Sequence, residues 1–183
     1  MSVTKTELTT LKKWRRMFGA LVSPMAWLHM VKLLNFYNYS HVVPLRELSR
    51  GKDCHISPTS KFAHARRIRL GSRVLVGENC RIWAGPANGQ IEIGSDTMLG
   101  PNTLITAASY DYRRGSPMGR QPMLEADVKI GKDVWIGAGA VVLMGSCVGD
   151  GAIVGANAVV RGKVPAGAIV AGNPAQCVGV RHE

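Results

Sequence analysis

The sequence predicts an all-β solenoid, a triangular parallel β-helix, because residues 130 to 164 carry a six-residue repeat. An aliphatic residue recurs at fixed phase, and a small or β-branched residue stands four places after each one. Neither the 3.6-residue period of a helix nor the alternation of a two-faced strand fits this spacing. A short period of this kind is typical of β-helical solenoids. The recurring aliphatic residues are Ile130, Ile136, Val142, Val148, Val154 and Val160.

Each six-residue unit is expected to form one short strand and one corner of the coil. The aliphatic residue points inward, the residue four places later fills the corner, and a glycine such as Gly131 or Gly137 permits the bend. Stacked coils then pair as parallel strands, so that each coil covers the next. A chain with 46% hydrophobic but only 6% aromatic residues suits such a thin interior.

The repeat begins before residue 130 and is interrupted once. Weaker repeats occur at Ile56, Phe62 and Ile68, and again at Leu70, Val76, Ile82, Ile93, Leu99 and Ile105, with a turn at Asn88-Gly89 between them. Residues 109–127 have no six-residue pattern and are predicted to form a loop extruded from one corner. Long loops on rigid scaffolds usually carry function. We therefore expect a β-helical domain over residues 46–183, with this loop as its functional insertion.

Residues 1–45 form a separate N-terminal helical segment in this interpretation. The helical stretch runs from Leu11 to Tyr39, opens with four basic residues around Trp14, and is broken or kinked at Pro24. Its apolar run is shorter than the roughly twenty residues that cross a bilayer, so no transmembrane helix is predicted. Two hypotheses remain: a helical lid that packs on the solenoid, or a basic amphipathic anchor at the inner membrane surface.

Charge and cysteine content narrow the function classes. The net charge is +11, and residues 1–50 hold eight Lys/Arg against two Glu, which indicates a local role for the excess. No nucleic-acid-binding module accompanies the basic residues, so nucleic acid is not an expected partner.

The four cysteines contain no CxxC pair. Cys80 and Cys147 fall where small residues are expected, which predicts buried free thiols and a reducing, cytoplasmic compartment.

The run VWIGAGAVVLMGSCVGDGAIVGANAVV at residues 134–160, followed by VPAGAIVAGNPA, resembles the hexapeptide-repeat acyltransferases. The similarity extends over about residues 56–181 and is closest to the sugar and polysaccharide O-acetyltransferase branch. It implies a left-handed β-helix that assembles as a homotrimer and binds acetyl-CoA between neighbouring coils. The extruded loop would close over the acceptor, a sugar in a surface polysaccharide or its precursor.

The catalytic loop departs from that family. Members carry a histidine at its start as general base, whereas this sequence reads Ser109-Tyr110-Asp111-Tyr112. Histidine, with an ordinary pKa of about 6.5, suits the role, whereas tyrosine is protonated at neutral pH and aspartate is a weak base. Three hypotheses follow. Asp111 is the base and Tyr110 orients the acceptor; a base comes from another subunit, or from His64 about two coils away; or catalysis is lost and the trimer is a binding scaffold.

The resemblance also implies binding residues. For the donor these are the small residues Ala138, Gly139 and Ala156 along the coils and the basic residues Arg161, Lys163 and Arg181 near the CoA phosphates. For the acceptor they are Trp83, Trp135, Arg113 and Arg114. No metal is expected. A β-helical carbonic anhydrase would need three histidines around zinc, and no histidine occurs from residue 65 through 181.

Overall fold

The computed structural model describes residues 10–113, 115 and 117–181, so Arg114 lies outside the described residues. Two compact units divide between Tyr39 and Ser40. The first holds α1 (Thr10–Leu21) and α2 (Pro24–Tyr37), and the sequence break at Pro24 is where α2 begins. A π-helical turn, Asn38–Val42, leads into α3 (Val43–Glu47) and the second unit.

The second unit is a parallel β-helix, as the six-residue repeat predicts, and it is left-handed, as the family resemblance implies. Its strands in chain order are β1 (Ser49–Arg50), β2 (His55–Ile56), β3 (Lys61–Ala63), β4 (Ile68–Leu70), β5 (Leu75–Val76), β6 (Arg81–Trp83), β7 (Ile91–Ile93), β8 (Met98–Leu99), β9 (Leu104–Thr106), β10 (Ala108–Tyr110), β11 (Met123–Glu125), β12 (Val128–Ile130), β13 (Trp135–Ile136), β14 (Val141–Val142), β15 (Cys147–Val148), β16 (Ile153–Val154), β17 (Val159–Val160), β18 (Lys163–Val164), β19 (Ala168–Ala171) and β20 (Gln176–Val180).

Three parallel sheets form the sides of the coil. Sheet A contains β1, β4, β7, β12, β15 and β18; sheet B contains β2, β5, β8, β13, β16 and β19, with β20 added antiparallel; sheet C contains β3, β6, β9, β14 and β17. The chain passes from A to B to C and returns to A at each coil. Three rows of corners result, named A–B, B–C and C–A after the sheets that they join.

The core confirms the predicted phase of the repeat. The aliphatic residues from Ile130 to Val160 are all buried, and the corner positions Val134, Ala140, Ser146, Ala152 and Ala158 are buried with them. Ser146 Oγ donates to the carbonyl of Val160, so the polar corner residue is satisfied inside the coil. The residue before each aliphatic one points outward, because side chains alternate along a strand.

The thiols follow the same alternation, which corrects one expectation. Cys80 is buried, and burial raises the pKa of its thiol. Cys147, predicted to be buried, is exposed. It directly precedes the inward Val148 on β15 and therefore faces outward, whereas the corner position belongs to Ser146.

The extruded loop leaves corner C–A and begins and ends in a hairpin. β10 pairs antiparallel with β11, with Tyr110 opposite Met123 and Ala108 opposite Glu125. A 3₁₀ turn, Met118–Arg120, lies between these strands. The sequence gives no signal for this hairpin, since its strands are short and their side chains do not alternate cleanly between buried and exposed.

Candidate functional site

The two predicted catalytic residues, at the start of the extruded loop, differ in exposure. Asp111 is 9% exposed, and its Oδ1 accepts from the Arg113 backbone N–H at 3.3 Å. The backbone N–H of Asp111 donates to the Pro122 carbonyl at 3.0 Å, just beyond the hairpin. Tyr110, in contrast, is 43% exposed. The carboxylate is therefore sheltered and held in place, while the phenol is open to an incoming ligand.

A single carboxylate fixes the end of the loop, and we call this arrangement the Glu125 clasp. Glu125 Oε1 accepts from the Ala87 N–H at 3.0 Å, and Oε2 accepts from the N–H groups of Asn88 at 2.5 Å and Gly89 at 2.6 Å. These hydrogen bonds, led by those from Gly89 and Asn88, hold the pKa of Glu125 below its ordinary value. The clasp joins the loop to the turn at Asn88-Gly89 in the preceding coil.

Two further bonds support the clasp. The backbone N–H of Gln90 donates to Asp127 Oδ1 at 2.9 Å, at the point where the loop returns to sheet A. Arg67, one coil earlier, donates to the carbonyls of Gly85 at 3.3 Å and Pro86 at 3.0 Å. Three successive coils therefore hold corner C–A together. Sequence analysis missed Glu125, because the contact joins residues 36 to 38 positions apart with no repeat to mark it.

Replacing Glu125 with Gln is expected to loosen the loop without unfolding the coil. An amide keeps the shape but offers one oxygen and no charge to three N–H donors, so amide exchange at Asn88 and Gly89 should accelerate. In a loop that positions reacting groups, a displacement of about 1 Å can reduce turnover on the order of a hundredfold, so the transfer that the resemblance implies should also slow. Hydrogen exchange and transfer rate measure the two effects. Glu125→Asp is the charge-preserving control, and unchanged exchange in Glu125→Gln would contradict the clasp.

The clasp also predicts a pH dependence. Because the folded pKa of Glu125 is lowered, the clasp contributes its full stability above the ordinary pKa of glutamate. That contribution is lost as the pH falls through the lowered folded pKa. Amide protection at Gly89 should therefore decline only in acid, and the difference between wild type and Glu125→Gln should disappear there.

Sheet C carries a basic groove on its outer face, on the side of corner B–C. Lys61 and Arg81 are directly paired on β3 and β6, and they line a groove of about 500 Å³ with Asn79, Asn102 and Leu104. Trp83, predicted to contact the acceptor, lies on the outer side of β6 two residues after Arg81 and is exposed. Lys61 and Arg81 were missed, although their position before the inward Phe62 and Ile82 marks them as outward-facing.

The predicted donor residues Ala138, Gly139 and Ala156 lie together in corner B–C. A Cβ added at Gly137 would lie 2.6 Å from the Ala156 nitrogen, so adjacent coils touch through their backbones here. Gly139 has a φ of +69°, which an L side chain rarely adopts. Ala138 and Ala156 are both exposed. At these positions the corner therefore offers backbone and methyl groups to a ligand.

The predicted phosphate-binding residues are not brought together within one chain. Arg161 lies in corner C–A and Lys163 on the outer side of sheet A. Arg181 lies beside corner A–B, where it donates to Asp133 Oδ2 at 2.8 Å. It lines a groove of about 770 Å³ with Lys132, Asp150 and Ala166. Arg113 is exposed on the extruded loop, with its guanidinium 6.0 Å from the centre of the Tyr112 ring.

Trp135 lies on sheet B, across the coil from the loop. Its side chain is exposed, and it belongs to a column of outward apolar residues in direct register: Leu75, Met98, Trp135, Ile153 and Ile169. In a triangular coil, sheet B is the side opposite corner C–A. Trp135 and Asp111 of one chain therefore face away from each other.

In the described part of the chain, no group of three His, Cys, Asp or Glu side chains is arranged to hold a metal ion. His41 is buried, with Nδ1 2.6 Å from the Ser60 carbonyl oxygen. His64 follows β3 in corner C–A, and β3 lies two strands from β9, where the loop begins. That places it ~10 Å along the axis from the loop.

Comparison with known proteins identifies the repeat. Residues 127–162 match the family model "Bacterial transferase hexapeptide (six repeats)". Nodulation protein L of Rhizobium meliloti is 39% identical over 70% of this chain and 68% of its own length. A putative lipopolysaccharide biosynthesis O-acetyl transferase of Escherichia coli is 34% identical over 48% of this chain and 49% of its own. For most of the curated relatives that it matches, the chain spans about half to two thirds of their length.

A solved structure shares the fold. The hexapeptide-repeat acetyltransferase of Vibrio cholerae, complexed with acetyl coenzyme A, is 26% identical. It superposes with a TM-score of 0.69 over 78% of this chain and 76% of that chain. The fold, the repeat and the sequence similarity agree, and the chain belongs to the bacterial hexapeptide-repeat transferases.

Proposed function

We propose that the protein transfers acetyl from acetyl-CoA to a hydroxyl of a sugar in a surface polysaccharide or its precursor, in the cytoplasm. The carrying observation is the combination of a small-residue corner at Ala138 and Ala156 with a clasped loop that holds the sheltered carboxylate of Asp111. The first feature suits pantetheine and the second suits acceptor activation. The name of the Escherichia coli relative supports a polysaccharide acceptor.

The site is completed by a second copy of the chain in this proposal. Trp135 and the extruded loop lie on opposite sides of one coil, so both can line one site only when sheet B of one subunit approaches corner C–A of another. The apolar column on sheet B gives such a contact an uncharged surface to bury. A closed trimer satisfies this head-to-tail arrangement in all subunits.

The chemistry needs one proton acceptor beside the acceptor hydroxyl. Asp111 takes the hydroxyl proton as the sugar oxygen attacks the thioester carbonyl carbon. The tetrahedral intermediate collapses, the C–S bond breaks, and the proton passes from Asp111 to the departing CoA sulfur. Tyr110 donates a hydrogen bond to the acceptor and so fixes its orientation. Positioning by the clasped loop supplies much of the rate, since a carboxylate is a weak base.

An anionic acceptor suits the basic residues of sheet C and of the loop. Lys61 and Arg81 line one groove on sheet C, Trp83 lies on the same sheet, and Arg113 lies on the loop. Guanidinium and ammonium groups bind carboxylates and phosphates, and an aromatic side chain can stack on a sugar ring. An acidic sugar or a diphosphate-linked sugar is therefore the substrate class that we propose.

The donor site is tested by placing a larger side chain in corner B–C. Ala156→Leu is expected to weaken CoA binding at least about tenfold, because the new side chain occupies the space along the coil where pantetheine would lie. Since Ala156 is exposed, the thermal midpoint should change by less than ~2 °C. Calorimetric titration with CoA and thermal unfolding measure the two effects.

Ala166→Leu is the matched comparison. Ala166 holds the equivalent place in corner A–B, where a Cβ added at Gly149 would touch its nitrogen, and it lines the Arg181 groove. CoA binding that is weakened by Ala166→Leu but not by Ala156→Leu would move the donor to that groove. Absence of CoA binding in the wild-type protein at millimolar concentration would remove the transferase function and favour a scaffold.

A further inference from the structure

We propose that residues 10–37 bind the surface of an anionic lipid bilayer, with α1 along the headgroups and α2 inserted among the acyl chains. This inference goes beyond the acetyl transfer proposed above and rests on the N-terminal unit alone. No single described helix is long and apolar enough to cross a membrane. The pair that begins with α1 passes the same test of length and composition together, but it bends by 68° between Leu21 and Pro24.

The α1 helix separates apolar from basic side chains. At 100° per residue, the apolar ones fall within one arc, and the rings of Trp14 and Phe18 stack on it with centroids 6.1 Å apart. The basic ones occupy the opposite arc, and no acidic residue occurs between Glu7 and Glu47. The apolar arc contains Leu11, Trp14, Met17, Phe18 and Leu21, and the basic arc contains Lys12, Lys13, Arg15 and Arg16. Such a helix lies in the plane of an anionic membrane surface.

The α2 helix is mostly apolar, and none of its residues is buried in this chain. At 100° per residue its polar side chains, His29, Lys32 and Asn35, fall within one arc of about 120°, and the opposite face carries apolar and aromatic side chains. Val31 and Leu34 lie on that wide apolar face and are 62% and 63% exposed. A helix with so wide an exposed apolar face is suited to the apolar part of a membrane interface. Its 14 residues span about 21 Å, less than the ~30 Å of a hydrocarbon core, so it enters one leaflet without crossing the bilayer.

The break between the helices satisfies its own polar groups, as an apolar environment requires. The Trp27 indole N–H donates to the Leu21 carbonyl at 2.8 Å, which caps the end of α1. Ser23 Oγ accepts from the Ala26 N–H at 3.4 Å at the start of α2. The Val22 N–H donates to the Phe18 carbonyl at 3.2 Å. The bend is therefore compatible with the depth of the glycerol and upper acyl region.

Charge favours lipid over a second copy of the same segment. Two α1 helices packed side by side would bring eight cations together with no acidic residue of α1 between them. An anionic bilayer neutralises the same groups and also receives the apolar arc. The lipid surface is therefore the occupant that accounts for both faces of α1 and for the wide exposed apolar face of α2.

Flotation of the full chain with lipid vesicles tests the proposal. We expect the protein to float with vesicles containing 30% phosphatidylglycerol, and flotation should fall as salt rises. Replacing Lys12, Lys13, Arg15 and Arg16 with Gln should weaken binding at least about tenfold. The matched control removes the same charge from the solenoid through R50Q, K52Q, R69Q and K129Q, and it should stay within about twofold. Equal weakening by both variants would overturn a specific role for α1.

Insertion of α2 has its own measurement. Brominated acyl chains should quench Trp27 fluorescence in the wild-type chain, and Trp27→Phe should remove most of that quenching. Val31→Asp with Leu34→Asp should abolish flotation while the β-sheet circular dichroism stays unchanged. Absent wild-type flotation, or binding to phosphatidylcholine alone as strong as to anionic vesicles, would overturn the proposal. If the wild-type chain does not bind vesicles and the double variant changes its assembly state, α2 is a subunit contact and the proposal is wrong.

Discussion

Asp111→Asn is expected to reduce kcat for acetyl transfer by about 10²- to 10⁴-fold while CoA binding stays within about twofold. The substitution keeps the shape of the side chain and one oxygen that can accept from the Arg113 N–H. It removes only the ability to take a proton. Because asparagine keeps the size of aspartate and the small residues of corner B–C hold the donor, CoA should bind as before. Steady-state kinetics with a sugar acceptor and calorimetry with CoA separate the two steps.

Tyr110→Phe is the matched comparison for the same loop. Tyr110 is exposed and neighbours Asp111, and its substitution removes one hydroxyl without a change of charge. We expect a rise in acceptor KM and a fall in kcat below about tenfold. Equal and small effects of both variants would place the base elsewhere, in another subunit or at His64. A wild-type protein that binds CoA but transfers to no acceptor would favour the binding scaffold.

The repeat explains why the fold could be predicted and some of the site could not. Ile136 and Val154 repeat a local rule, so their inward orientation follows from position alone. The prediction for Cys147 was wrong because Cys147 lies one residue past the corner position, and neighbouring side chains point in opposite directions. The Glu125 clasp obeys no local rule. It depends on two irregular excursions that meet only after the coils are stacked.

Assembly is the other source of difficulty. Ala138 and Ala156 were expected beside CoA, and they do lie in one corner, but Arg161 and Arg181 lie in the other two. The sequence does not show whether residues that bind one ligand come from the same subunit or from two subunits. Only the three-sided geometry shows that Trp135 and Asp111 of one chain are on opposite sides. The predicted set is therefore divided between subunits in our proposal.

Ile136→Ala and Trp135→Ala, at adjacent positions on β13, are expected to have different effects. Ile136 is fully buried between Leu99 and Val154, and its truncation should lower the free energy of unfolding by about 2–5 kcal/mol. The cavity also weakens the contact of its coil with both neighbouring coils, on which solenoid stability depends. Urea unfolding followed by circular dichroism measures the loss, at fixed protein concentration.

Trp135→Ala should leave the coil folded and act on assembly instead. The side chain faces outward in the apolar column of sheet B, so its removal opens no cavity within the chain. We expect sedimentation equilibrium to show a weaker trimer, and any fall in the unfolding midpoint to grow as the protein is diluted. The loss from Ile136→Ala should persist under conditions where the protein is monomeric. A loss from Trp135→Ala that also persists there would mean that Trp135 stabilises its own coil, and would remove the main support for a site shared between subunits.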